Sequence, residues 1–331
     1  MSTVAVMGSG SWGTAMALTL CDNDHRVTMW ARRAEVCERI NLQHRNPDYF
    51  GDLVLPDQLS AVQDPELAMK DAEFVVLAIP SQALRATLAE WSVPEQAVVV
   101  SLAKGVELGT GLRMSQVIME VTGVAPERIA VLTGPNLSHE IAERQPAAAV
   151  VASTREETAL AVQHLFHTAT FRPYTNTDVI GCELGGATKN VIALAVGMAA
   201  GMGYGANAAA SLITRGLAEI IRLGEAMGAD PHTFSGLAGM GDLVATCSSA
   251  LSRNRTFGEE LGKGRTVAEI AGGTRQVAEG VKSCFSIKAL AEKYGVDMPI
   301  TYAVCAVIDG SLDPTSLVQA LLARAPKPER Y

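Results

Sequence analysis

The sequence predicts an α/β protein in which an N-terminal, doubly wound, mostly parallel sheet precedes an all-helical C-terminal domain. Two observations carry this. The first half of the 331-residue chain holds short apolar runs separated by helix-length segments, and after about Asn176 the chain turns Ala-, Leu- and Gly-rich at helical spacing. Apolar runs without polar alternation suit strands covered on both faces, and crossover helices supply that cover.

The expected strands are Val4–Met7, Val27–Ala31, Phe74–Ile79, Ala97–Leu102, Ile129–Thr133 and Ala147–Ala152. The first runs into "VAVMGSGSWGTAMAL", where Gly8, Gly10 and Gly13 complete G-x-G-x-x-G between a strand and an apolar helix. Gly8 permits a tight turn, Gly10 lets backbone approach a pyrophosphate, and Gly13 allows close packing of helix on strand, with the helix N-terminus facing the anion. A Rossmann-type dinucleotide site is expected here, the plainer reading being a merely tight turn. At the end of the second strand, where an acid usually accepts hydrogen bonds from the adenosine ribose, the chain reads Trp30-Ala31-Arg32-Arg33. An arginine there pairs with a 2′-phosphate, so NADP(H) is the preferred cofactor and NAD(H) a possible one. The plainer reading is that both arginines solvate a strand end. Further along, Lys104 in "SLAKGVE" and Gly134-Pro135-Asn136 in "VLTGPN" follow expected strands, on the carboxyl edge where open α/β sheets bind ligands.

The boundary is expected near Gly181, giving a dinucleotide-binding domain over 1–181 and a helical substrate-binding and catalytic domain over 182–331. Helical breaks fall at "GMGYGAN", "GADPH" and "GKGR", and the tail "APKPERY" is expected to fray. Lys189 lies in "ELGGATKNVIALAVGMAAG". A poorly solvated lysine has its pKa pushed down and can exchange a proton with an alcohol or carbonyl oxygen, although lysines on helices are often snorkelling surface residues. Asp242, in the Gly-rich apolar turn "GLAGMGDLVATC", needs a cation if buried, and Lys189 is the candidate; a helix N-cap is the plainer reading. Ser252, Arg253, Asn254 and Arg255 form a donor-rich "SRNR" suited to a phosphate, or else a solvated charged face. Arg215, Glu219 and Arg222 stand four and three apart, and pairing along one helix face accounts for them.

Composition narrows the function classes. A formal net charge of −8 opposes nonspecific nucleic-acid binding. The six cysteines include no Cys-x-x-Cys pair and the six histidines no metal-ligand spacing, so reduced, mostly buried thiols and no metal are expected. Val4–Met7 is too short for the apolar core of a secretory signal, and "VIALAVGMAAGM" is too short and Gly-rich for a membrane span. A buried helix and a cytoplasmic protein follow as expectations.

Together "GSGSWGTA", "WARR", "LAKGVE", "TGPN", "GGATKNVIALAVG", "GMGDLVATC", "SRNRTFG", "QVAEGVKS" and "MPI" resemble the NAD(P)-dependent glycerol-3-phosphate dehydrogenase family of bacterial type, over nearly the whole chain. The resemblance implies a cytoplasmic homodimer that interconverts dihydroxyacetone phosphate and sn-glycerol 3-phosphate and supplies glycerophospholipid synthesis. It places the proton-transferring lysine at Lys189 and substrate contacts at Lys104, Gly134, Asp242, Ser252, Arg253 and Asn254. Cofactor contacts fall at Ser11, Trp12, Arg32, Arg33, Lys104, Arg253, Val277 and Glu279. The chain departs from the family in "GPNLSHE", where Asn136 and Ser138 take positions usually held by Ser and Ala; Asn136 can still bind substrate, and a cofactor contact is expected at Ser138. Two rivals stay open: a β-hydroxyacid or 6-phosphogluconate type dehydrogenase, and a non-catalytic NADP(H)-binding sensor.

Overall fold

A computed structural model describes residues 1–272, 279–323 and 328. An eight-stranded sheet comprises β1 (Thr3–Met7), β2 (Arg26–Trp30), β3 (Leu59–Val62), β4 (Phe74–Leu77), β5 (Val98–Ser101), β6 (Ile129–Thr133), β7 (Ala147–Ala152) and β8 (Phe171–Asn176), in the order β3-β2-β1-β4-β5-β6-β7-β8. Every neighbouring pair is parallel except β6–β7. The order reverses between β1 and β4, which makes the carboxyl ends of those strands the switch point where such sheets bind ligands. The six expected strands all form. The two not expected, β3 and β8, lie at the sheet's edges and alternate buried with exposed residues, as Leu59 and Ala61 or Phe171 and Pro173 turn inward.

The chain divides into two compact units, one of Met1–Gly186 with Ala229–Asp242, the other of Ala187–Gly228 with Leu243–Tyr331. The sequence reading cuts near Gly181, whereas the units divide inside the helix Val179–Gly201, and a later segment returns to the first unit. Hydrogen bonds explain the return: Asp178 Oδ2 accepts from the Asp230 amide at 2.9 Å, while its Oδ1 accepts from Gly181 N at 2.8 Å. Gly185 has no side chain because a Cβ there would lie 2.3 Å from the Ala238 carbonyl oxygen.

In the second unit every described regular element is a helix. The Ala/Gly richness of Val179–Gly201 has a packing cause. A Cβ on Gly197 or Gly201 would lie 2.0 or 2.1 Å from the carbonyl oxygens of Arg255 or Glu259, and one on Gly258 or Gly262 would lie 2.2 Å from those of Leu194 or Met198. Two Gly-x-x-x-Gly faces therefore interlock, backbone on backbone, between this helix and Arg253–Gly262. Gly258→Ala is expected to lower stability by about 2 kcal/mol, the usual cost of overpacking a filled core, read as a drop in urea midpoint at constant m-value. By length and composition Val179–Gly201 could cross a membrane, yet 89% of its apolar window is buried inside the fold.

Glu219 corrects the expectation of pairing along a helix face. Its side chain turns inward at 1% exposure and accepts from Ile300 N at 2.7 Å, Thr301 N at 3.2 Å and Thr301 Oγ1 at 3.1 Å, at the start of the helix Pro299–Ile308. Arg222 donates instead to the Asp297 carbonyl oxygen at 2.8 Å. Burial outweighs these hydrogen bonds and pushes the Glu219 carboxyl from 4.5 up to about 7. A carboxyl with a raised folded pKa contributes stability that is fully present below the unfolded value and fades as pH rises through the folded one. Between 4.5 and about 7 the unit should lose stability on the order of 3 kcal/mol from this group. Glu219→Gln should flatten the pH dependence of the thermal midpoint over that window.

Candidate active site

The turn after β1 has the close backbone packing that a dinucleotide-binding glycine turn requires. Gly8 has φ +133°, and a Cβ on it would lie 2.5 Å from the Ala78 carbonyl oxygen; a Cβ on Gly13 would lie 2.0 Å from the Gly8 carbonyl oxygen. Gly10, by contrast, has open space where its Cβ would be, and it N-caps the helix Ser11–Asp22 with no side-chain hydrogen bond to the first turn. The amides of that turn are the groups a pyrophosphate would take. Trp12 Nε1 is buried with no hydrogen-bond partner among the described residues. Ser138, at the start of the short helix Ser138–Ala142, reaches back to this turn: its Oγ is 2.5 Å from Ser11 Oγ.

Arg32 and Arg33 are exposed just beyond β2. Arg33 Nη2 donates to Asp48 Oδ2 at 2.5 Å, and Arg39 Nη2 donates to the same oxygen at 3.0 Å. The segment carrying Asp48 is pinned to the glycine turn by Asn46, 1% exposed, whose Nδ2 donates to the Ser9 carbonyl oxygen at 3.0 Å and to Thr14 Oγ1 at 2.9 Å. Sequence reasoning singled out neither Asn46 nor Asp48; the only available signal was a polar residue before the helix-starting Pro47.

At the carboxyl edge of β5 and β6, Lys104 meets Asp242. Its Nζ donates to Asp242 Oδ2 at 2.7 Å and to the Gly134 carbonyl oxygen at 2.9 Å. The side chains are 13% and 1% exposed. The sequence reading offers Lys189 as a cation for Asp242; the structure adds Lys104, which that reading did not pair with the carboxylate. Around the pair lie unsatisfied polar groups. Thr133 Oγ1 and both polar atoms of Asn136 are buried without hydrogen-bond partners among the described residues. Gly186 clears room here, since a Cβ on it would come 2.9 Å from Thr133 Oγ1 and 3.5 Å from Lys104 Cγ. Gly134, with φ +120°, holds its carbonyl toward the lysine in a conformation that favours glycine. A buried lysine–aspartate pair beside hydroxyl and amide groups can hold and polarise an oxygen-rich ligand.

In the second unit Lys189 is buried at 7% exposure, and its Nζ donates to Thr246 Oγ1 at 2.7 Å. Thr246 lies on the helix Asp242–Ser248, four residues after Asp242 and hence on the same face of that helix. Ser252 caps the helix Arg253–Gly262, its hydroxyl accepting from Arg255 N, and Arg253 is exposed at the first position. Asn254 is clamped: Nδ2 donates to Asn190 Oδ1 at 2.9 Å, and Oδ1 accepts from Gly280 N at 2.8 Å. This fixes the N-terminus of the helix Glu279–Tyr294 next to Glu279. Val277 lies outside the described residues. No group of three or more His, Cys, Asp or Glu among the described residues is arranged to hold a metal ion, and the six cysteines are buried and outside any disulfide. Burial drives the Cys21 thiol up to about 12 and raises Cys182 further.

The N-terminal model of NAD-dependent glycerol-3-phosphate dehydrogenases matches residues 3–159, and the C-terminal model matches residues 178–319. A glycerol-3-phosphate dehydrogenase (NAD(P)+) of Thermobifida fusca (strain YX) is 59% identical over 334 residues, covering 100% of this chain and 99% of that protein. The crystal structure of glycerol-3-phosphate dehydrogenase from Coxiella burnetii superposes with a TM-score of 0.93 at 34% identity, over 98% of this chain and 99% of that one. A D-mandelate dehydrogenase with NADH, at 14% identity and a TM-score of 0.62 over 96% of this chain and 99% of that one, shares the fold alone. The glycine turn, the lysine–aspartate pair and the donor-rich helix start thus stand in a chain that belongs to the family of NAD-dependent glycerol-3-phosphate dehydrogenases.

Proposed function

We propose that this chain is an oxidoreductase that reversibly reduces dihydroxyacetone phosphate to sn-glycerol 3-phosphate with NAD(P)H. The observation that carries the reading is the Lys104–Asp242 pair, 2.7 Å long and nearly dry, on the carboxyl edge of the sheet in a chain of this family. The glycine turn, with its open Gly10, uncapped helix start and Trp12 Nε1, fits a dinucleotide pyrophosphate. Ser11, Trp12 and Ser138 would contact the cofactor there, with Arg32 and Arg33 at the adenosine ribose and Arg253, Val277 and Glu279 contributing from the helical domain. NADP(H) is the preferred form, NAD(H) the second.

The bound nicotinamide supplies the hydride that reduces the carbonyl carbon. Lys189 donates the proton that the carbonyl oxygen takes up, and Thr246 holds its ammonium in register through a 2.7 Å hydrogen bond. Asp242 and Lys104 orient the substrate's oxygens together with Asn136 and the Gly134 backbone, while Ser252, Arg253 and Asn254 bind its phosphate. Anchoring the phosphate fixes the carbonyl for transfer, so remote binding energy lowers the chemical barrier.

In the cell the product would feed glycerophospholipid synthesis. A cytoplasmic homodimer completes the reading, and sedimentation of the purified chain tests the dimer. The division of labour between a cofactor domain over 1–181 and a substrate domain over 182–331 belongs to the same proposal.

A substrate panel tests the activity against its rival. With NADPH present, dihydroxyacetone phosphate should be reduced while β-ketoacids are not, and 6-phosphogluconate should not be oxidised with NADP+. The reverse pattern would move the chain to the hydroxyacid class. Dinucleotide binding without turnover on any of these would leave the sensor.

A further inference from the structure

We propose that Asp48 sets how strongly this chain discriminates between dinucleotides with and without a 2′-phosphate, by holding Arg33 and Arg39 on its carboxylate. The inference rests on the cofactor reading above and deepens it. The two arginines after β2 are unequal. The Arg32 guanidinium is exposed and makes no hydrogen bond among the described residues; only its backbone carbonyl is engaged, accepting from Gln63 Nε2 at 3.1 Å. Arg33 and Arg39 converge on one oxygen of Asp48, at 2.5 and 3.0 Å.

This carboxylate is held in place. Asp48 belongs to the short turn Pro47–Phe50, and the preceding Asn46 is buried and bonded to Ser9 and Thr14 of the dinucleotide turn. The Phe50 ring packs 5.1 Å from His139, in the helix whose first residue touches Ser11. Asp48 is thus carried by a segment fastened to the cofactor turn, and Arg33, foremost, with Arg39 holds its carboxyl below the usual carboxylate range. It is charged at neutral pH.

The consequence is electrostatic. Two arginines and one aspartate present a single net positive charge where the arginines alone would present two. A 2′-phosphate approaching Arg33 must share it with a carboxylate and meets that carboxylate's repulsion, whereas a ribose hydroxyl meets no such repulsion and can donate to an acceptor. Asp48 therefore narrows the preference for NADP(H) that the "WARR" sequence sets up and keeps NAD(H) usable. It acts through Arg33, as a positioning residue for specificity.

The test is calorimetric titration of the purified full-length chain with NADP+ and with NAD+, in wild type, Asp48→Asn, Arg33→Ala and the double variant, with Asp48→Ser as a second replacement. A 2′-phosphate is the only chemical difference between the two ligands, so a merely structural change would weaken or strengthen both together. We expect Asp48→Asn to tighten NADP+ relative to NAD+ by about tenfold at low salt, to lose much of that gain at high salt, and to have little effect on the ratio once Arg33 is Ala. An unchanged ratio in both Asp48 variants, with wild type binding both ligands, overturns the proposal and leaves the cofactor reading standing. Wild type binding neither dinucleotide would bring down both.

Discussion

Lys189→Met is expected to lower kcat by about 10³-fold, within the range that a positioned proton donor contributes, while leaving the Kd for NADPH near its wild-type value. The side chain is buried and tied to Thr246 Oγ1, so a thioether of similar length fills the space and removes only the proton and the charge. Steady-state reduction of dihydroxyacetone phosphate, with a parallel titration of NADPH fluorescence, separates the two effects. Equal losses in kcat and kcat/KM mark an interaction made in the transition state. Near-normal turnover would remove Lys189 from the proton-transfer role.

The second large effect is expected at Lys104. Lys104→Met deletes a 2.7 Å charge-assisted hydrogen bond from a carboxylate that is 1% exposed, along with the bond to the Gly134 carbonyl. Breaking one side of so buried a pair costs about 3 kcal/mol, which urea unfolding would show as a lower midpoint. If the two act as a pair, adding Asp242→Asn should cost less than the sum of the two single losses and should regain no activity. Additive losses in the double variant would mean that the two residues do not act as a pair.

The sequence exposes the parts of this protein whose determinants are local. The glycine turn is legible because strand, turn and helix lie within one short stretch, and the six buried strands announce themselves as unbroken apolar runs. Edge strands β3 and β8 do not, since half their residues face outward and one holds Pro173. The pairing of Lys104 with Asp242 is not legible either: the two stand 138 positions apart, and no spacing rule connects them. Glu219 shows the limit of helical spacing in another way. Residues three and four apart share a face, but the spacing does not say whether that face meets water or the start of a helix in need of acceptors. The Gly-x-x-x-Gly pairs at Gly197–Gly201 and Gly258–Gly262 were visible as letters, yet only the carbonyl oxygens opposite them give the glycines a reason. The Asn46–Asp48 segment, which ties Arg33 and Arg39 to the glycine turn, carries no motif at all.

The most direct test of the account is the stoichiometry of the reaction catalysed by the purified chain. Dihydroxyacetone phosphate and a limiting amount of NADPH are mixed with it, and the fall in nicotinamide absorbance is compared with the sn-glycerol 3-phosphate formed. One product molecule is expected for each NADPH oxidised, with the same ratio and a slower rate for NADH. NADPH that binds but stays reduced in the presence of dihydroxyacetone phosphate would contradict it.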